Sequence, residues 1–212
     1  MRAEREETSV RRAYTVESIM ALRREAAEFE GQWLEAFGKP ELKGTWCIGG
    51  LPKNGKTSFC MMLAKYLTQF HSVAYNSIEE GISGTFAEAL RRAKMEEIRR
   101  GRFMILNGEE FAELERRLAQ RKSPKVIIVD SIQFLGLNQA TYLRMKKRFP
   151  DKLFIYITHL AGQYPEGKTA IKIWRDSSVV VRVEGFKAYP TSRYGGGKPI
   201  VISEERAKMF EI

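Results

Sequence analysis

The chain has 212 residues, 43% apolar and 29% charged, which suits one domain with a full core and not a disordered chain. A formal net charge of +10 favours an acidic partner, and nucleic acid is the usual one. No apolar run approaches the ~20 residues of a membrane helix, and Cys47, Cys60, His71 and His159 have neither a disulfide framework's pattern nor a metal site's spacing.

Residues 1–13 mix charges of both signs and read as a mobile arm. "MRAEREETSVRR" lacks an apolar stretch, so no signal peptide is expected and the cytoplasm is the expected compartment. Between Thr15 and Phe37, residues Ile19, Leu22, Ala26, Phe29, Trp33 and Phe37 recur at helical intervals and predict one amphipathic helix. Its stripe suits packing on the domain and docking on a neighbouring subunit alike. "TWCIGG" then reads as a strand entering a glycine turn, "TSFCMMLAKYLTQF" as a helix and "SVAYNS" as a second strand. "TFAEALRRAKMEEIRR" reads as a helix, "RFMIL" as a strand, and "NGEEFAELERRLAQRK" as a helix capped by Asn107. "KVIIVD" and "KLFIYIT" are buried strands around a helical "NQATYLRMKKRF". "SSVVVRVEGFKAYPTSRYGGGKPIVIS" reads as strands joined by tight glycine turns. The alternation predicts an α/β fold: a mostly parallel sheet with helices on both faces and an antiparallel C-terminal extension. The expected division is 1–43 for the arm and first helix, and 44–212 for the α/β domain.

Gly50, Leu51, Pro52, Lys53, Asn54, Gly55, Lys56 and Thr57 form a complete P-loop pattern that runs on into Ser58. Glycines let backbone N–H groups turn inward around phosphates, and the following helix aims its positive end at the same anion. Lys56 reaches the outer phosphates, and the Thr57 hydroxyl suits Mg²⁺. Asp130 ends "VIIVD", where a carboxylate emerges beside the loop to hold the metal's water shell. Glu79 and Glu80 in "YNSIEEGIS" follow the second strand at the same edge; Glu79 is the favoured general base and Glu80 the second choice. The expected ligands are therefore ATP and Mg²⁺.

These segments resemble the RecA-like P-loop ATPases, with the RadA repair ATPases, the replicative ring helicases and the KaiC-like proteins as the nearest patterns. "VIIVDSIQFL" resembles the RadA Walker B segment, and "YNSIEE" the catalytic-glutamate segment of ring helicases and KaiC-like proteins. "YITHLAG" resembles the strand that ends in a γ-phosphate sensor, which makes His159 the sensor. "TSRYGGGKPIVI" resembles the late "K-x-R-x-G" hairpin of ring helicases and the "N-R-F-G" segment of RadA. By that resemblance Arg193 acts on a neighbouring subunit's ATP, and the chain forms a homo-oligomer, ring or filament. The resemblance spans about residues 44–203. Thr191 stands where the helicases carry lysine, Pro52 and Lys53 replace small RadA residues, and residues 1–43 leave no room for an N-terminal helicase domain or zinc module.

In such ATPases the loops after the Walker B and sensor strands face the central axis. Here these are Gln133 to Gln139 and "LAGQYPEGKTAIK", with Lys168, Lys172 and a stacking face on Tyr164. "RMKKRF" (Arg144 to Phe149) is the best basic patch for phosphate contact, since "RRAKMEEIRRGR" and "ERRLAQRKSPK" also carry glutamates. The expected function is ATP hydrolysis coupled to single- or double-stranded DNA in replication, recombination or a mobile element. Three rivals are a KaiC-like scaffolding ATPase without DNA, a P-loop kinase with "RRAKMEEIRRGR" as its arginine lid, and a nucleotide binder without turnover.

Overall fold

The structure is a computed structural model that describes residues 13–23, 25–133 and 135–210. Residues 1–12 of the expected arm lie outside them. The strands are β1 (Gly44–Gly50), β2 (Val73–Ser77), β3 (Phe103–Leu106), β4 (Val126–Asp130), β5 (Leu153–Ala161), β6 (Tyr164–Pro165), β7 (Val179–Glu184), β8 (Lys187–Ser192) and β9 (Ile200–Val201). The helices are α1 (Val16–Met20), α2 (Gly31–Phe37), α3 (Lys56–Leu67), α4 (Gly84–Arg92), α5 (Phe111–Leu118), α6 (Gln139–Arg148), α7 (Lys168–Asp176) and α8 (Glu204–Lys208).

One sheet runs in the order β3-β2-β4-β5-β1-β7-β8-β9, with β6 paired to β5. From β3 to β7 every pairing is parallel, and β8 and β9 continue antiparallel. This matches the α/β expectation. Parallel strands are covered on both faces, which is why their sequences read as nearly unbroken apolar runs. Side chains alternate between two layers. Trp46, Ile48, Tyr75 and Ile128 join the layer that holds Phe59 and Leu63 of α3. Cys47, Ile127 and Val129 join the other, with Leu114 of α5, Tyr142 and Met145 of α6 and Ile173 of α7. Both cysteines are buried and free, as expected.

Three local expectations change. The single helix over Thr15–Phe37 is two short helices, α1 and α2. Between them the backbone bonds outward rather than along the chain. Ala26 bridges to Glu41, Ala27 N–H donates to Pro40 O at 2.7 Å, and Glu30 N–H donates to the Tyr66 hydroxyl at 2.8 Å. Only Phe29, Trp33 and Phe37 of the large stripe residues are buried, while Ile19 and Leu22 stay exposed. Asn107 does not cap α5. Glu109 is held to β2 by a reciprocal pair of bonds with the Asn76 amide, so the helix starts later, after Glu110. The segment read as a loop after β5 is instead the short β5–β6 hairpin followed by α7.

Among the described residues, no helix is long and apolar enough to cross a membrane.

Candidate functional site

At the carboxyl edge of the sheet β1 turns into α3 through Leu51–Gly55. Lys53 and Gly55 take positive φ values of 63° and 97°, which rolls the loop's backbone around. A Cβ at Gly55 would also lie 2.9 Å from the Phe186 ring, so both conformation and space demand glycine there. Asn54 ties the loop to the β7–β8 turn: its Oδ1 accepts from Gly185 N–H at 2.9 Å and its carbonyl from Phe186 N–H at 3.3 Å. Its Nδ2 donates to Pro52 O at 3.0 Å. α3 starts with no side-chain cap, so its first N–H groups have no competing acceptor of that kind.

The loop lines a cleft of about 570 Å³ together with Glu79, Glu80, Asp130 and His159. Lys56, Thr57 and Ser58 face it from α3. Lys56 Nζ donates to Leu51 O at 3.0 Å. Burial lowers the Lys56 ammonium's pKa, against the pull of Glu79 and Asp130. Asp130 is only 7% exposed. Burial pushes its pKa up to about 6; Glu79 and Glu80 add to this, while a 2.5 Å bond from the Tyr75 hydroxyl and the charge of Lys56 oppose it. The Asp130 carbonyl accepts from Ile78 N–H at 2.7 Å and Glu79 N–H at 3.1 Å, so the two acidic segments are fastened together. Glu79 Oε2 lies 3.0 Å from His159 Nε2 at the end of β5. Glu80 Oε2 accepts from Thr85 at 3.3 Å, toward the start of α4.

The donor set fits magnesium. Thr57 and Asp130 offer hard oxygens on one cleft. Among the described residues no group of three His, Cys, Asp or Glu forms an all-protein metal cage. Mg²⁺ bound through one or two protein oxygens and phosphate needs none.

No family model and no curated protein matches the chain. Solved structures do. KaiC-like protein PH0186 from Pyrococcus horikoshii OT3 matches with TM-score 0.59 at 15% identity, over 84% of this chain and 93% of that one. The flagellar accessory protein FlaH from Methanocaldococcus jannaschii matches with TM-score 0.55 at 18% identity, over 80% and 92%. A solved ATPase domain matches with TM-score 0.54 at 15% identity, over 78% and 83%. The fold is RecA-like.

In this RecA-like sheet the strand pairing sets Arg193 apart from the cleft. Gly50 at the P-loop is level with Val183, whereas β8 runs back so that Ser192 pairs with Val179. Arg193 follows at the far end, exposed, with its N–H on Ser178 O at 3.0 Å. Its loop is clamped by α2: Ser192 Oγ donates to Phe37 O at 2.9 Å, Gly197 N–H to Ala36 O at 2.9 Å and Lys198 N–H to Glu35 O at 3.1 Å. A Cβ on Gly38 would lie 2.0 Å from Tyr194 O, so the approach needs glycine.

The segments expected to meet DNA are more structured than the sequence suggested. Lys168 and Lys172 lie on α7, and Gln133 Nε2 donates to Thr158 Oγ1 at 2.6 Å. Phe134 lies outside the described residues. Arg144 and Arg148 both bond to Glu115, and Lys146 bonds to Asp176 at 2.6 Å, so most of "RMKKRF" is ion-paired. A different surface stands out. Tyr164, Trp174, Arg182 and Tyr189 line a groove of about 330 Å³, with Arg175 5.9 Å from the Tyr164 ring centre.

Sequence reasoning missed Tyr75, Arg92, Phe186 and Arg206. A tyrosine inside a buried strand needs a partner for its hydroxyl, which was a usable signal. Arg92, Phe186 and Arg206 line the cleft from three distant segments, and no local pattern marks them.

Proposed function

We propose that this chain is an ATP-hydrolysing, RecA-like motor or remodelling domain that acts on DNA in the cytoplasm. One observation carries the reading: the P-loop, Asp130 and the Glu79–His159 pair line the same cleft. Backbone N–H groups from Lys53 to Thr57 and the start of α3 hold the phosphates, and Lys56 neutralises charge that builds on them. Thr57 and Asp130 hold Mg²⁺, which screens the phosphate oxygens when bound. Glu79 takes the proton from the attacking water. His159 keeps that carboxylate in place and faces the terminal phosphate. Arg193 lies too far along β8 to serve its own cleft, which supports a role in a neighbouring copy of a ring or filament. The surplus of positive charge and the Tyr164–Trp174–Tyr189 groove support a sequence-tolerant DNA contact through stacking and phosphate charge.

A second reading is a KaiC-like scaffolding ATPase without DNA. It is favoured by the match to KaiC-like PH0186, by Thr191 at the helicase lysine position and by the ion-paired state of α6. ATPase rate against protein concentration, with and without single-stranded DNA at two salt levels, separates the two. Rising specific activity with concentration, and DNA stimulation that weakens with salt, are the expected results. Concentration dependence without any DNA effect favours the scaffold. Lys56→Ala should lose ATP, whereas Glu79→Gln should bind ATP without turning it over; full turnover in Glu79→Gln removes the assigned base.

A further inference from the structure

Beside the P-loop the cleft opens into a side pocket of about 300 Å³, the lower end of the range for ligand pockets, roughly 300–1,000 Å³. Ser58, Ala89, Arg92, Phe186 and Arg206 line both spaces, so the two are continuous. The walls of the side pocket are largely apolar, with Met62 from α3 and Ala93 beyond α4. Two guanidinium groups, from Arg92 and Arg206, supply its charge. Phe186 is nearly buried and its place is over-determined. Its N–H bonds to Asn54 of the P-loop, its carbonyl accepts from Ile202 N–H at 2.8 Å, and Phe210 packs on its ring at 5.9 Å between centres. The Arg206 guanidinium lies over that ring at 5.1 Å.

We infer that this pocket seats the purine base of the bound nucleotide, with the exposed Arg206 of α8 as its planar lid. The assignment rests on the nucleotide reading above and extends it to the base. A triphosphate held by Lys53 to Thr57 leads its nucleoside along α3, past Ser58 toward Met62. A flat, weakly polar base suits apolar walls, and a guanidinium plane stacks on it. Arginine donates five hydrogen bonds and accepts none, so it pairs with acceptors on the base edge. Purines present N7 as an acceptor whether the ring carries the adenine amino group or the guanine oxygen. Pyrimidines have no N7 and less surface to stack. The pocket therefore selects purine over pyrimidine and does not separate adenine from guanine.

The test is equilibrium binding of ATP, GTP, CTP, UTP and inorganic tripolyphosphate to the full chain with Mg²⁺ at one salt concentration. The proteins are wild type, Arg206→Ala and Arg206→Lys. Wild type should bind ATP and GTP within about threefold of each other and CTP and UTP about tenfold more weakly. Arg206→Ala should weaken ATP and GTP by about tenfold and leave tripolyphosphate within about twofold. Arg206→Lys should not rescue, because it keeps the charge and loses the plane. Equal losses for ATP and tripolyphosphate, rescue by lysine, no loss at all, or pyrimidines bound as tightly as purines each overturn the assignment. Wild type that binds neither ATP nor tripolyphosphate brings down the nucleotide reading itself, a pattern distinct from the others.

Discussion

Phe37→Ala probes whether residues 1–43 belong to the core or ride beside it. Phe37 is fully buried. Its ring stacks on Trp46 at 5.5 Å and on Trp33 at 6.0 Å, and meets Phe29 edge-on at 6.3 Å. Truncating a buried Phe costs about 3–5 kcal/mol. Three aromatic pairs, each worth roughly 0.5–1.5 kcal/mol beyond their area, push the value to the upper half of that range. A loss of about 4 kcal/mol is a large share of a domain's ~5–15 kcal/mol. For a chain of this size it should lower Tm by roughly 8–16 °C. With a urea slope near ~2 kcal/mol/M, the midpoint should fall by about 2 M at unchanged slope. Circular dichroism during thermal and urea unfolding reads both. A Tm drop under about 2 °C would refute the reasoning and return the segment to the status of an appendage.

Three other outcomes are expected. Asn54→Ala strands the Gly185 N–H and unties the P-loop from the β7–β8 turn, a cost of about 1–3 kcal/mol. ATP affinity should fall by about tenfold with the fold intact, and an unchanged Kd would show that the tether does not order the loop. Tyr75→Phe removes the hydroxyl that supports the Asp130 carboxylate. The Mg²⁺ concentration for half-maximal ATPase should rise several-fold; no change would place Asp130 outside the metal's shell. His71 is the pH probe. Burial lowers its pKa from 6.5, Lys125 and Arg102 lower it further, and Glu25 opposes them. The unfolded chain therefore takes up the proton first as pH falls through 6.5, and folded stability declines there, then levels off below the folded value. His71→Gln should lose less stability than wild type between pH 7.5 and 5, measured by urea unfolding; equal losses would refute the shift.

The parallel sheet was legible because strands buried on both faces leave continuous apolar runs such as "KVIIVD", which few other structures produce. The P-loop was legible because phosphate wrapping demands a fixed set of residues over eight consecutive positions. What failed had non-local causes. The Thr15–Phe37 stripe has helical spacing, yet the chain leaves the helix because Pro40 and Tyr66 offer better partners to Ala27 and Glu30. The basic run in α6 looked available until Glu115 and Asp176 arrived from other helices. Arg206 reaches the cleft only because α8 folds back over the β7–β8 turn, and nothing near it in the sequence announces that.

The β7–β8 hairpin joins two places that are otherwise remote. Its turn is bonded to Asn54 in the phosphate loop, and its other end leads to Arg193, gripped by α2. Six residues at about 3.3 Å each make a stiff rod of roughly 20 Å between them. Should copies assemble with Arg193 toward the next cleft, any tilt of the rod caused by a nucleotide at one end would be felt as a displacement at the other. Successive sites would then keep time through a single pair of strands, with no hinge and no moving domain.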